Sequence, residues 1–183
     1  RSQIKLVARA VKLDDGSVAA FVLPQFVKSD HLLFQVKNEF NGLALTGALA
    51  DTQFFYGKGA GGYPTASAIL SDLSALRYNY KYEHKKLLEQ SPSCLAGDVL
   101  LNAYVSFDDW EKVPVDAFEA VHEYYSGRQL HYRRGVVSLK KLRQSGWWRQ
   151  AGVSLILEEK ALAEKVETMI LQKELAASEL IFA

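Results

Sequence analysis

The chain has 183 residues, 49% of them hydrophobic and 23% charged, and its 22 basic and 21 acidic residues leave a net charge of +1. This composition is typical of a globular protein of one or two domains, and the scattered basic residues indicate no surface for nucleic acid or an anionic membrane. The single cysteine cannot form an internal disulfide and no apolar run is long enough to span a bilayer, so we expect a cytoplasmic protein.

The first segment is predicted to be a β-hairpin. Residues 4–13 and 18–23 are rich in residues that favour strands, and Asp15-Gly16 between them is expected to supply the left-handed positions of a tight turn. Pro24 lacks a backbone N–H and is expected to end the second strand.

A second hairpin leads into a glycine-rich loop. We expect residues 43–49 and 52–56 to pair, after a short helix over residues 30–37 that Ser29 caps. The loop that follows, residues 57–62, has four glycines in six residues.

The loop runs directly into a helix predicted from Pro64 to about residue 80. Proline fits the first turn, because the N–H that it lacks would be unpaired there. The glycines place no Cβ in front of the N–H groups at the positive end of the helix dipole. The segment therefore predicts a site for a phosphate, a carboxylate or a polarised carbonyl. Apolar residues recur at helical spacing along one stripe of this helix: Ile69, Leu73, Leu76 and Tyr80.

The same loop matches the pattern of a dinucleotide-binding fingerprint, with glycines at 57, 59 and 62. That fingerprint requires a second parallel strand after the helix, with an acidic residue about 20 residues further on. Residues 78–86, YNYKYEHKK, are not a buried strand. The sequence context therefore argues against a Rossmann unit here.

After a turn-rich boundary at residues 89–97, the pattern changes to alternating strands and helices. The first predicted element is a strand over 99–107, with Leu101, Ala103, Val105 and Phe107 on one face. The others are a helix from Pro114 to 125 ended by Gly127, a strand over 130–139, a helix over 140–150 broken at Gly146, a strand over 153–157 and a terminal helix over 158–183. We therefore predict an α+β fold: an antiparallel or mixed sheet with helices on one face (1–88), a linker (89–97), and a second small α+β domain with a terminal helix (98–183).

Other candidate residues favour structural roles. The four histidines lack metal-ligand spacing, so no metal site is predicted, and Cys94 has no neighbouring His or Lys to activate it. Asn41 is expected to be a turn residue, Glu39 a solvated charge and Asp72 a structural helix residue. Six aromatic residues of the second half predict either a core or an interface patch: Trp110, Tyr124, Tyr125, Tyr132, Trp147 and Trp148.

Residues 57–68, GKGAGGYPTASA, resemble the loop and helix near the end of the catalytic domain of homoserine dehydrogenases. The resemblance covers about residues 3–80, including residues 4–8, the turn at 24–27 and the segment FNGLALTG at 40–47. It implies a cytoplasmic homodimer that interconverts L-homoserine and L-aspartate 4-semialdehyde, in threonine and methionine biosynthesis, with NAD or NADP carrying the hydride.

The resemblance also implies that the loop closes over the nicotinamide end of the cofactor. The expected contacts are Gly59, Ala60, Gly61, Gly62 and Thr65, with the backbone of Gly61 foremost. The hydroxyl of Thr65 has an equal alternative, which is a local bond at the helix N-terminus.

The chain departs from the family in two respects. The family's D-x-x-G-x-D-x-x-x-K motif and its Rossmann domain are absent from the sequence, so no catalytic residue is assigned, and we expect a truncated carboxyl-terminal piece that is inactive alone. Members of the family often end in a regulatory βαββαβ domain. The three strands and two helices predicted here lack its glycine-containing first turn, which favours a structural or oligomerisation role. A non-catalytic regulatory or oligomerisation module, or a free-standing anion-binding protein, remain alternatives.

Overall fold

The structure, a computed structural model, describes residues 1–80 and 94–163. The chain divides into two compact units, the first made of Arg1–Gln3 and Val27–Pro92 and the second of Ile4–Phe26 and Ser93–Ala183. Both strands and helices are present in a mixed arrangement, so the predicted α+β class is confirmed. The domain boundary predicted at residues 89–97 stays a prediction.

The described residues form eight strands and two α-helices, besides short 3-10 turns. The strands are β1 (Ser2–Lys12), β2 (Val18–Lys28), β3 (Phe40–Gly47), β4 (Asp51–Lys58), β5 (Leu100–Phe107), β6 (Ala120–Ser126), β7 (His131–Ser138) and β8 (Val153–Leu162); the helices are α1 (Gly62–Arg77) and α2 (Leu139–Gln144). Strands β3 and β4 pair with each other, and the other six form one sheet in the order β1-β2-β8-β5-β7-β6.

The last four described strands are connected in the order β5-β6-β7-α2-β8, with 3-10 turns and no α-helix between β5 and β6. Strand β5 is antiparallel to both β7 and β8, and β6 is antiparallel to β7. The helix predicted from Pro114 to residue 125 is wrong, because this segment holds only a 3-10 turn, Val115–Ala117, followed by β6. β-branched and aromatic side chains in β6 favour the pleated conformation. The sequence prediction of three strands missed β6 and therefore missed this order.

The core lies on one face of the larger sheet. Alternate residues of β5 are fully buried as predicted, and β2, β7, β8, the segment between β5 and β6 and the helical segments after β7 also contribute to the core. The main side chains are Phe21, Leu23, Leu101, Val105, Phe107, Leu142 and Trp147. The predicted aromatic cluster is divided, because Trp147 is buried whereas Tyr124 and Tyr125 are exposed.

Strand β2 continues through Pro24, so the predicted stop is wrong. Its parallel pairing with β8 places Gln25 opposite Leu157, and a proline is tolerated where the ladder does not use its N–H. The side chain of Gln25 is only 2% exposed. Its Oε1 accepts from Nε of Arg9 at 2.9 Å, and its Nε2 donates to the backbone oxygen of Glu159 at 2.9 Å. One buried amide therefore joins β1, β2 and β8.

The structure also confirms or corrects smaller predictions about individual turns and helices. The helix expected over residues 30–37 is a 3-10 turn, Leu32–Gln35, and it is capped by His31, not Ser29. The break expected at Gly146 is confirmed by the end of α2 before it and a 3-10 turn after it. Only Gly16 of the first hairpin turn is left-handed, with φ of 82°. Residues 158–162 belong to β8 and not to a helix, and residues 164–183 lie outside the described part.

Asp98 connects the start of β5 with the start of α2. Its carboxylate accepts hydrogen bonds from the Ser138 hydroxyl at 2.6 Å, from the backbone N–H of Val99 at 2.8 Å and from that of Lys140 at 2.9 Å. Burial alone would raise the pKa of Asp98, but these bonds outweigh it and lower that pKa from its ordinary value. The carboxylate therefore acts as an additional N-terminal cap for α2.

We expect Gln25→Leu to lower the free energy of unfolding by about 2 kcal/mol, because it removes two hydrogen bonds in a buried position while keeping side-chain volume. Chemical denaturation of the two proteins measures this difference. Gln150→Leu is the matched control, since Gln150 is an exposed glutamine of the same unit. Equal effects of the two substitutions would contradict the role assigned to Gln25.

We expect Asp98→Ala to cost about 1 kcal/mol of stability at neutral pH, as for loss of a helix cap. Because the pKa of Asp98 is lowered in the folded protein, its contribution is present above the unfolded pKa and is lost as pH falls through the folded one. The difference between wild type and variant should therefore shrink below about pH 4 in denaturation experiments. A difference that stays constant with pH would refute this.

Candidate glycine-loop site

The glycine loop is held at the end of a regular hairpin. Strands β3 and β4 pair antiparallel from Phe40 opposite Lys58 to Gly47 opposite Asp51, so the predicted hairpin is confirmed. The rings of Phe40 and Tyr56 stack at 4.8 Å between centroids. The chain then turns through residues 59–61 into α1. The loop therefore starts from a fixed strand end and finishes at a helix N-terminus.

The geometry of the loop favours glycine at two positions, for different reasons. Gly61 precedes α1 with φ of 114°, a conformation that side-chain-bearing residues rarely adopt. Gly59 faces the side chain of Asn41, whose amide occupies the space that a Cβ at residue 59 would need. The backbone N–H of Gly59 donates to the backbone oxygen of Glu39 at 2.9 Å. Asn41 lies in β3 and not in the turn expected for it.

The loop is open to solvent on its outer side. Gly59, Ala60, Gly61 and Gly62 are exposed. Within the described part of the chain, the backbone N–H groups of residues 60–63 make no hydrogen bond. A cleft of about 610 Å³ lies beside them. These amides are therefore available to a ligand at the positive end of α1.

The ion pair of Lys58 with Glu39 forms one wall of the cleft. The sequence analysis did not predict this pair. Nζ of Lys58 lies 3.1 Å from Oε1 of Glu39 and 5.5 Å from the centre of the Phe40 ring. The backbone N–H of Glu39 and the ammonium of Lys58 lower the pKa of the Glu39 carboxyl. Tyr63, Pro64 and Ser67 complete the lining. The only sequence signal for Glu39 and Lys58 was that they flank the hairpin next to the loop.

Thr65 makes a local bond. Its hydroxyl donates to the backbone oxygen of Gly61 at 2.8 Å, and its backbone N–H donates to the same oxygen at 3.1 Å. Of the two alternatives predicted for this hydroxyl, the structure has the bond at the helix N-terminus. Thr65 therefore holds the conformation of Gly61.

The other candidate residues lie elsewhere. Asp72 is exposed on α1 and Cys94 is exposed outside the strands. His84 lies outside the described residues, and His31 accepts from the backbone N–H of Leu33 at its cap position. In residues 1–80 and 94–163, no three His, Cys, Asp or Glu side chains lie close enough together to hold a metal ion. No helix in these ranges is both long and apolar enough to cross a bilayer.

Helix α1 presents apolar side chains to solvent. The predicted stripe of Ile69, Leu73, Leu76 and Tyr80 is exposed, each side chain by more than half. On the hairpin, Leu43, Leu45 and Phe55 are exposed to a similar degree. A single soluble unit rarely leaves so many large apolar side chains uncovered.

We expect Gly59→Ala to destabilise the chain by about 1 kcal/mol, because the new methyl group must displace the Asn41 amide. Combining it with Asn41→Ala should recover part of the loss, which thermal unfolding of both single variants and the double variant measures. Gly57→Ala is the matched control, since no atom lies within 4 Å of its Cβ position. Strictly additive effects at 41 and 59 would contradict the contact.

The sequence of this chain is similar to those of known proteins. Residues 1–74 match the family model described as homoserine dehydrogenase. The homoserine dehydrogenase of Mycobacterium tuberculosis is 29% identical over 178 residues, which are 89% of this chain and 38% of that protein. The one from Bacillus subtilis is 28% identical over 141 residues, 72% of this chain and 31% of that protein.

A solved structure shares the fold. The crystal structure of a homoserine dehydrogenase from Thiobacillus denitrificans superposes with a TM-score of 0.57 at 18% identity, over 87% of this chain and 43% of that one. The chain thus spans less than half the length of the proteins that it matches. The resemblance predicted from the glycine loop is confirmed: the chain is similar to homoserine dehydrogenases over part of their length.

Proposed function

We propose that this chain forms part of a homoserine dehydrogenase that uses NAD or NADP to interconvert L-homoserine and L-aspartate 4-semialdehyde. Within it, the glycine loop contacts the nicotinamide end of the cofactor through Gly59, Ala60, Gly61 and Gly62. The observation that carries this proposal is the open row of unbonded backbone amides at the start of α1. The family match over the same residues supports it.

The loop fits the polar groups of such a cofactor. Unbonded N–H groups at a helix N-terminus attract carbonyl and phosphate oxygens, and glycines without Cβ allow the closest approach of a planar ring to the backbone. The cofactor, when bound, supplies the hydride acceptor. The chain's own residues bind and orient it, while Thr65 keeps Gly61 in the required conformation through the bond to its carbonyl oxygen.

The proton-transferring residues are proposed to lie outside this sequence. The D-x-x-G-x-D-x-x-x-K motif of the family does not occur in it, so no residue here is assigned the role of general acid or base. The isolated chain is accordingly proposed to have no dehydrogenase activity. A cytoplasmic homodimer is part of the same proposal, and the exposed apolar side chains of α1 and of the β3–β4 hairpin support it.

A second candidate function concerns the second unit. Its last four described strands have α2 between β7 and β8 but only 3-10 turns between β5 and β6, so they match the βαββαβ order of the regulatory domains at the end of many homoserine dehydrogenases except at the first helix. This observation favours a non-catalytic regulatory or oligomerisation role for that unit. The segment after β5, Asp108-Asp109-Trp110, contains no glycine, which argues against an amino-acid site at its first turn.

We expect homoserine oxidation from the protein expressed from the longest reading frame that contains this chain, and none from the 183 residues alone. Gly61→Ala should lower kcat/KM at least about tenfold, because its Cβ opposes both the φ of 114° and the approach of the cofactor. The appearance of reduced NAD or NADP on mixing with L-homoserine measures the rate.

Gly57→Ala is the control for this experiment, since residue 57 has neither a left-handed φ nor a close neighbour. Its kcat/KM should stay near that of the unaltered enzyme. Turnover by the isolated chain, no turnover by the longer protein, or equal rates for the two alanine variants would each overturn the proposal.

A further inference from the structure

The second unit contains a cavity that is separate from the glycine loop. It has a volume of about 350 Å³ and lies between residues 20–23 of β2 and the helical segment that follows β7. Leu142, Arg143, Trp148 and Arg149 line its other side. Its size is at the lower end of the range for small-molecule sites, roughly 300 to 1,000 Å³.

The inner wall of this cavity is apolar and firmly packed. Phe21, Leu23 and Leu142 belong to the buried core, each less than a tenth exposed. The indole N–H of Trp148 donates to the backbone oxygen of Leu142 at 2.8 Å. This bond satisfies the only polar atom of the Trp148 side chain and orients its ring. The wall therefore offers a preformed surface for an apolar group.

Two arginines, Arg143 and Arg149, line the cavity, and neither has an acidic partner among the described residues. No acidic side chain lines the cavity, and in the described part of the chain neither Arg143 nor Arg149 forms an ion pair. The guanidinium of Arg149 lies 4.5 Å from the centre of the Trp148 ring. By contrast, Arg134 in the same unit pairs with both Glu123 and Glu158. The cavity thus combines an apolar wall with uncompensated positive charge.

We propose that this cavity binds a small carboxylate that carries an apolar body, such as an aryl or alkyl carboxylic acid. Arginine matches a carboxylate in charge and in its forked geometry, and Arg143 and Arg149 would hold it. The apolar body would lie against Phe21, Leu142 and Trp148. A bare inorganic anion would leave that wall uncovered, so the apolar group is part of the predicted ligand. This inference does not rest on the proposed dehydrogenase function.

Calorimetric titration of the 183-residue chain with phenylpropionate tests the proposal, with phenylpropionamide as the uncharged ligand of the same shape. We expect saturable binding of the carboxylate and at least tenfold weaker binding of the amide, since a charge-assisted bond is lost. Arg143→Gln and Arg149→Gln should each weaken binding of the carboxylate roughly tenfold and leave the affinity for the amide unchanged.

Arg128→Gln is the matched control, because Arg128 is an exposed arginine of the same unit that does not line the cavity. It should bind phenylpropionate as the unaltered chain does. Absence of saturable binding, equal affinity for acid and amide, or undiminished affinity in the Arg143→Gln/Arg149→Gln variant would overturn the proposal. A change in sedimentation of that double variant without any ligand binding would instead assign the cavity to an interface between copies, and would also overturn it.

Discussion

The buried amide of Gln25 joins the amino-terminal hairpin to β8, the last strand that the structure describes. Strands β2 and β8 run parallel beside each other, and they are far apart in sequence. Burial lowers the pKa of Arg9, which donates to Gln25, although its guanidinium stays charged at any ordinary pH. Since buried polar groups must find partners, this side chain restricts how the hairpin can meet the rest of the sheet. The apolar residues of β2 pack with those of β5 and β8 in one hydrophobic cluster of the second unit.

The glycine loop is shaped by a different constraint, the absence of side chains. Asn41 fills the space beside Gly59, and the left-handed conformation of Gly61 turns the chain into α1. The bond from the Thr65 hydroxyl to the Gly61 oxygen holds that turn. What remains is a backbone with free N–H groups facing a cleft, preorganised for a polar ligand before any ligand arrives. The ion pair of Lys58 with Glu39 gives the cleft a polar wall.

The two units thus offer different chemistry. The first presents the backbone amides of the glycine loop, which lies within the segment that matches the homoserine dehydrogenase family model, residues 1–74. The second presents an apolar cavity lined by two arginines that form no ion pair within residues 1–80 and 94–163. The chain spans only 38% of the homoserine dehydrogenase from Mycobacterium tuberculosis, and the proposed function assigns proton transfer to residues outside this sequence. Binding and orientation are the roles that the residues at hand can support.

The sequence by itself determined the α+β class, the hairpins, the alternation of β5 and the family resemblance of the glycine loop. These are local properties, set by side-chain periodicity, turn residues and a short specific motif. Only the tertiary structure decided that residues 120–126 form a strand, that β2 continues past Pro24 and that Glu39 and Lys58 line the cleft. Each of these depends on a neighbour distant in sequence: strand β6 needs β7 to pair with, and the amide of Gln25 needs Glu159. Local propensity cannot report such partners, because pairing across a sheet is a contact and not a property of the segment.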